Sequence, residues 1–176
     1  ANHEVMVGAT GHRTKLRSTL ALEERFYGTG LSILANYPAL TSHEELYSTC
    51  NGFLDGASDC LASKGLFMAR LELAPGVELD LWDTHLEAGG GPDDTEARQS
   101  QVEQIVAALG EVSGDRALML LGDFNLSEDD VEVDQGQLDV IRDGAGLSEA
   151  CPSLDCPEPH RIDRVWFRSS DSLLLA

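Results

Sequence analysis

The chain has 176 residues, a formal net charge of −19 and only two lysines, Lys15 and Lys64. That length predicts one domain, residues 1–176, large enough to bury a real core. The charge argues against a protein that grips polyanions over a broad surface, and no apolar run approaches the roughly 20 residues of a membrane-spanning helix.

From Ala1 to Tyr27 the pattern is weak, and no leader peptide is legible, as in an exported chain that has lost one. Val5-Met6-Val7 reads as a strand remnant, and the spacing of Leu16, Thr19, Leu20 and Glu23 predicts a short helix. Gly28-Thr29-Gly30 opens a turn that feeds a strand, and Pro38 stops it. These glycines alone are no phosphate loop, because no helix follows them. His43 to Thr49 predicts a further strand. The stretch from Cys50 to Gly65 is a polar, glycine-bearing loop of the kind that carries function. It contains Lys64, a point charge able to meet a phosphate; the competing reading is a solvent-facing lysine ahead of a strand. Leu66–Leu73 and Val77–Leu86 read as strands around Ala74-Pro75-Gly76, a hairpin signal. On the second of them Val77, Leu79, Leu81, Asp83 and His85 share a face, so two polar groups close an apolar row at the strand's end.

Glu87 to Thr95 is glycine-rich. Asp94 or Thr95 caps a predicted helix that runs to Leu109, with Val102, Ile105, Val106 and Leu109 as its buried stripe and Gly110 as its stop. Arg98 and Gln101 lie three apart on another side of it. Leu118 to Leu121 predicts a short buried strand that runs into Gly122, with Asp123 and Asn125 facing the same way at its mouth. A carboxylate and an amide held there suit metal-assisted or phosphate chemistry; an ordinary Asx turn is the plainer reading. The acids from Ser127 to Asp134 invite a calcium-loop reading, but Gln135 stands where such a loop needs glycine, which favours a solvated loop. A short helix over Gln137–Arg142, a loop over Gly144–Glu158 and a strand over Arg161–Arg168 that presents Asp163 complete the chain.

The cysteines form two close pairs, Cys50 with Cys60 and Cys151 with Cys156. Each pair could close a short disulfide loop, which suits a secreted or periplasmic protein. Four buried thiols in a reducing cytoplasm are the alternative. Zinc is disfavoured, since neither pair has the knuckle spacing and no nearby histidine completes a set.

Three motifs in order, Thr84-His85-Leu86, Gly122-Asp123-Phe124-Asn125 and Arg161-Ile162-Asp163-Arg164-Val165-Trp166-Phe167, resemble those of the endonuclease/exonuclease/phosphatase superfamily. The resemblance spans Gly28 to Phe167. Gly28–Pro38 matches the family's glycine-led strand, and Asn51-Gly52, Asp59 and Lys64-Gly65 are similar to the neutral sphingomyelinase branch. It implies an α/β fold, a DNase I-like four-layer α/β/β/α sandwich of two packed sheets with outer helices. It also implies Mg²⁺- or Mn²⁺-dependent hydrolysis of a phosphoric ester, foremost a small or lipid phosphodiester. A DNase I-like endonuclease and a non-catalytic binding member are the alternatives; nucleic acid is disfavoured by the scarcity of basic residues. By the same resemblance Asp123 orients or helps deprotonate the attacking water and could ligate the metal. Asn125 holds a phosphate oxygen or positions that aspartate, His85 donates to the phosphate, Asp163 orients a catalytic imidazole, and Lys64 binds substrate. The family's Gln-Glu dipeptide, source of the principal metal ligand, has no match here. Ser170-Asp171-Ser172 lacks the histidine of the family's closing Ser-Asp-His.

Overall fold

The structure, a computed structural model, describes residues 2–23, 25–53, 59–127, 133–154, 156 and 161–175. It opens with α1 (Asn2–Ala9), followed by β1 (Thr14–Arg17), β2 (Ser32–Ala35) and β3 (Ala39–Leu46). A single 3₁₀ turn at Asp59–Leu61 leads into the hairpin β4 (Gly65–Ala74) and β5 (Val77–His85). Then come α2 (Pro92–Ala108), β6 (Leu118–Asp123), α3 (Asp134–Ala145), β7 (Ser148–Glu149), α4 (Ala150–Leu154) and β8 (Asp163–Arg168).

Six strands form one sheet in the order β3-β4-β5-β6-β8-β7, and β1 pairs with β2 in a second sheet of two strands. Every pairing is antiparallel except β5 with β6. A parallel pair needs a crossover rather than a tight turn, and α2 supplies it.

Strand alternation sorts the apolar side chains into two cores. Leu66 and Met68 of β4, Trp82 of β5, Leu118 and Leu120 of β6 and Trp166 of β8 pack against α2 (Val102, Ile105) and α3 (Leu138, Ile141). The intervening residues of β4, Phe67, Ala69 and Leu71, face the other way and pack against Leu31, Ile33 and Ala35 around β2. The interior strand β4 is therefore buried on both faces, and its apolar run Leu66–Ala69 follows from that. The architecture is a mixed α/β sandwich, with helices on one face of the large sheet and the small sheet on the other.

Several expectations change. Val5-Met6-Val7 lies in α1, not in a strand; three apolar residues are too few to separate the two periods. Leu16 belongs to strand β1, where it stands opposite Ile33, and no helix spans residues 16–23. Packing against the sheet outweighs the helical spacing there. The helix α2 starts at Pro92, with Gly91 as its cap residue. Asp94 acts from inside the first turn, its carboxylate accepting from the Gly91 amide at 2.9 Å. Between Gly144 and Glu158 the chain is not all loop, since β7 and α4 lie there. The central acids of the 127–134 loop, residues 128–132, fall outside the described residues.

Candidate functional site

The register of the large sheet brings together residues that are far apart in sequence. His85 of β5 stands beside Asp123 of β6, and Asp123 stands beside Asp163 of β8. All three lie on the face opposite the main helical core, at the ends where β5 and β6 finish and β8 begins. His85 Nε2 is 3.8 Å from Asp123 Oδ2, and both side chains are partly open to solvent, 45% and 33% exposed.

Gly122 makes this closeness possible. Its φ is +151°, and a Cβ there would sit 2.0 Å from the Thr84 carbonyl oxygen, inside the partner strand's backbone. Only glycine lets β5 and β6 approach where the site begins. Past Asp123 the chain turns sharply. Asn125, at φ +49°, is the one non-glycine residue with positive φ among those described, and asparagine tolerates that conformation best after glycine. Its amide N–H donates to Asp123 Oδ1 at 2.9 Å, and its side-chain Nδ2 donates to the Leu86 carbonyl at 3.0 Å. The Asx turn is present, and it fixes the carboxylate of Asp123 and ties it to the end of β5.

Lys64 meets the same carbonyl from beneath. Its ammonium donates to Leu86 O at 2.6 Å and pairs with Asp59 at 2.9 Å, and the residue is only 8% exposed. Its protons go first to the protein, and its charge reaches the site through space. Burial, with Lys64 next in weight, holds the His85 imidazole below its ordinary value against the opposing pull of Asp123, Asp59 and Asp163. One step inward on the same face, burial pushes the Asp83 carboxyl up to about 6 despite donors from Ser32 and Thr84. The other nearby cations are also engaged. Arg161 and Arg164 both donate to Glu149, at 2.5 and 2.8 Å, and Arg164 donates to the Leu126 carbonyl.

A supporting layer was not legible beforehand. Glu87 is fully buried and accepts from the Asn51 amide at 2.8 Å and from Gln101. Arg98 donates to the carbonyls of Glu87 and Gly89, and Asn51 Nδ2 donates to Asp94 at 2.7 Å. In the sequence Asn51, Asp94 and the Arg98–Gln101 spacing were traces of this network, while Glu87 left none. Its effect is to fix the turn after His85 against the N-terminal half of α2.

The described residues do not compose a metal shell. No three His, Cys, Asp or Glu side chains among them converge on a point that could hold an ion. Asp123 spends one oxygen on the Asn125 amide, and a hard divalent cation takes about six oxygen ligands.

Both cysteine pairs are bonded, Cys50 to Cys60 and Cys151 to Cys156. The first bridge carries Asp59 next to Lys64, so the disulfide loop borders the site. Residues 54–58 of that loop lie outside the described residues.

No protein-family profile matches the chain. A sphingomyelinase of Mycobacterium bovis is 27% identical over 163 residues, covering 85% of this chain and 31% of that protein; the chain thus spans about a third of the length of the curated relatives it matches. Among solved structures, a mutant beta toxin from Staphylococcus aureus with bound magnesium ions superposes with a TM-score of 0.60 at 14% identity, over 85% of this chain and 55% of that one. An endonuclease/exonuclease/phosphatase protein from Beutenbergia cavernae gives a TM-score of 0.59 at 16% identity, over 77% and 39%.

Proposed function

We propose that this chain, which has the fold of the endonuclease/exonuclease/phosphatase proteins, is a single domain of a phosphoric-ester hydrolase that acts on a lipid or other small phosphodiester in the manner of a sphingomyelinase. The observation that carries the reading is the row His85–Asp123–Asp163, gathered at the strand ends by sheet register alone. The likeness to a sphingomyelinase supports the substrate class, and so does the charge of −19.

In this reading Asp123, held by the Asn125 amide, orients the attacking water and draws its proton as the new oxygen–phosphorus bond forms, while the ester phosphorus–oxygen bond breaks and the departing alcohol oxygen takes up a proton from solvent. Burial, and then Lys64, lower the pKa of His85 and so favour its neutral imidazole, which donates one N–H to a phosphate oxygen as negative charge builds there. Asn125 positions Asp123 and keeps an amide proton for the phosphate. Asp163 orients an imidazole. Lys64 acts by its charge from below, on His85 and on a phosphate within its reach. Whole-protein activity is proposed to need Mg²⁺ or Mn²⁺, for which Asp123 offers one ligand. The two disulfides fit an oxidising compartment outside the cytoplasm.

Replacing Asp123 with Ala tests the reading. Sphingomyelin and water-soluble phosphocholine-diester turnover should fall by about 100-fold or more, with an unchanged circular-dichroism spectrum and melting curve. EDTA should abolish the parent's activity and Mg²⁺ restore it. Normal turnover by a folded Asp123→Ala protein would remove the proposal.

A further inference from the structure

Helices α2 and α3 press together near their C-terminal ends, where Val106 Cγ1 would stand 3.0 Å from a Cβ at Gly144. Toward their N-terminal halves a groove of about 460 Å³ lies between them, within the size range of small-molecule sites. Each helix contributes one stripe at helical spacing, Thr95, Gln99 and Val102 from α2 and Gly136 and Val140 from α3. Val102 is buried, whereas Val140 and Val133, the residue before α3, are 44% and 38% exposed. Gln137 also lines the groove and is 6% exposed. Its Nε2 donates to the Thr95 carbonyl at 3.1 Å, and its Oε1 has no hydrogen-bond partner. Buried acceptors without a donor are rare in folded proteins. Glu103 stands at the rim, exposed, and no Lys, Arg or His is among the described residues that line the groove.

We propose that this groove binds a small amphiphilic amine, its apolar body seated on Val102, Val133 and Val140 and its N–H donated to Gln137 Oε1. A bound water could serve the oxygen but would leave the valines bare. The carboxylate of Glu103 and the chain's charge of −19 select a cation over an anion. The positive ends of the two helices do not reverse this, because Asp93, Asp94 and Asp134 occupy their first turns. The volume suits a small molecule rather than a segment of a partner protein. None of His85, Asp123 and Asp163 lines the groove, so the site is independent of the proposed chemistry.

The test titrates the complete, isotopically labelled protein with phenethylamine at neutral pH and, in parallel, with phenethyl alcohol and phenylacetate, read by nuclear magnetic resonance. Phenethylamine should shift the Val102, Val133 and Val140 methyl signals and the Gln137 side-chain amide signal saturably. The alcohol should bind more weakly, and phenylacetate should shift none of them. Gly136→Leu adds a side chain where nothing lies within 4 Å of a Cβ, so it fits the helix and fills the groove. It should weaken amine binding by about tenfold or more, with a melting temperature no lower than the parent's. Gln137→Met removes the acceptor at similar volume and should cost about tenfold in affinity. It also loses the Thr95 bond, so where it fails to fold Gly136→Leu decides. Absence of a saturable shift by the amine would mean that water alone serves Gln137, and would overturn the proposal. So would phenylacetate binding as tightly as the amine, or parental amine affinity in a folded Gly136→Leu or Gln137→Met protein.

Discussion

Asp83 sits two residues before His85 on the same face of β5, and burial, opposed by the donors from Ser32 and Thr84, pushes its carboxyl up to about 6. The sign follows from linkage. A carboxyl whose folded pKa lies above the unfolded one favours folding while it stays protonated, and that contribution is lost as pH rises from the ordinary carboxylate range through about 6. Asp83→Asn should therefore melt at a higher temperature than the parent at pH 8 and differ little from it at pH 4; equal shifts at both values would contradict this. His85 works in the opposite sense, since its folded pKa is lowered. The stability linked to its neutral form is present above the ordinary imidazole value and declines as pH falls below it. The catalytic prediction for Asp123 belongs to this scale too, because one carboxylate with one fixed turn behind it carries the proposed chemistry.

The paired ends of β5 and β6 behave as one element. The Leu86 amide donates to the Asp123 carbonyl at 2.9 Å, and Asn125 and Lys64 both donate to the Leu86 carbonyl. Gly122→Ala would drive a methyl group into the Thr84 carbonyl, 2.0 Å away, and break this junction. We expect a loss of roughly 2–4 kcal/mol in a denaturant titration, together with loss of activity, while Gly110→Ala, where nothing lies within 4 Å, should leave both near the parent values. The Cys50–Cys60 bridge acts on the neighbouring element by holding the Asp59–Leu61 turn under Lys64. Closing a loop of 10 residues' separation removes about 2.7 kcal/mol of unfolded-state entropy in the chain model. Cys50→Ser/Cys60→Ser should thus unfold at lower denaturant, and unreduced peptides of the parent should carry both Cys50–Cys60 and Cys151–Cys156 links in mass spectra.

Across the whole molecule, 31 acidic residues face 12 Lys and Arg. The cations nearest the site, Lys64, Arg161 and Arg164, are bound to Asp59 and Glu149. A duplex needs a row of free cations whose pairing with phosphates releases counterions; a single head-group phosphate does not. Duplex DNA should bind weakly even at low salt in a gel-shift titration. Tight binding that falls steeply with added salt would favour the endonuclease alternative.

At this same scale the division between sequence and tertiary structure becomes clear. The sequence by itself determined the strands β4, β5, β6 and β8, the two cysteine pairs and the stretch Gly122–Asn125, because each rests on local signals: apolar runs, a hairpin proline and glycine, and a turn that only a few residue types can make. The Asp83 and His85 face was legible for the same reason, since alternation has a period of two. Tertiary structure decided the rest. Residues 14–17 became a strand because β2 and the sheet beneath it offered a partner, which no local spacing records. Asp123 and Asp163 became neighbours through pairing across 40 residues. Lys64, which the sequence leaves as either a point charge for phosphate or a solvent-facing lysine, is drawn inside by Asp59 and the Leu86 carbonyl. Glu87, hidden among polar loop residues, became a buried anchor once Asn51 and Gln101 closed over it. In each case the deciding partner lies far along the chain, and burial, which no single stretch of sequence contains, sets what the side chain can do.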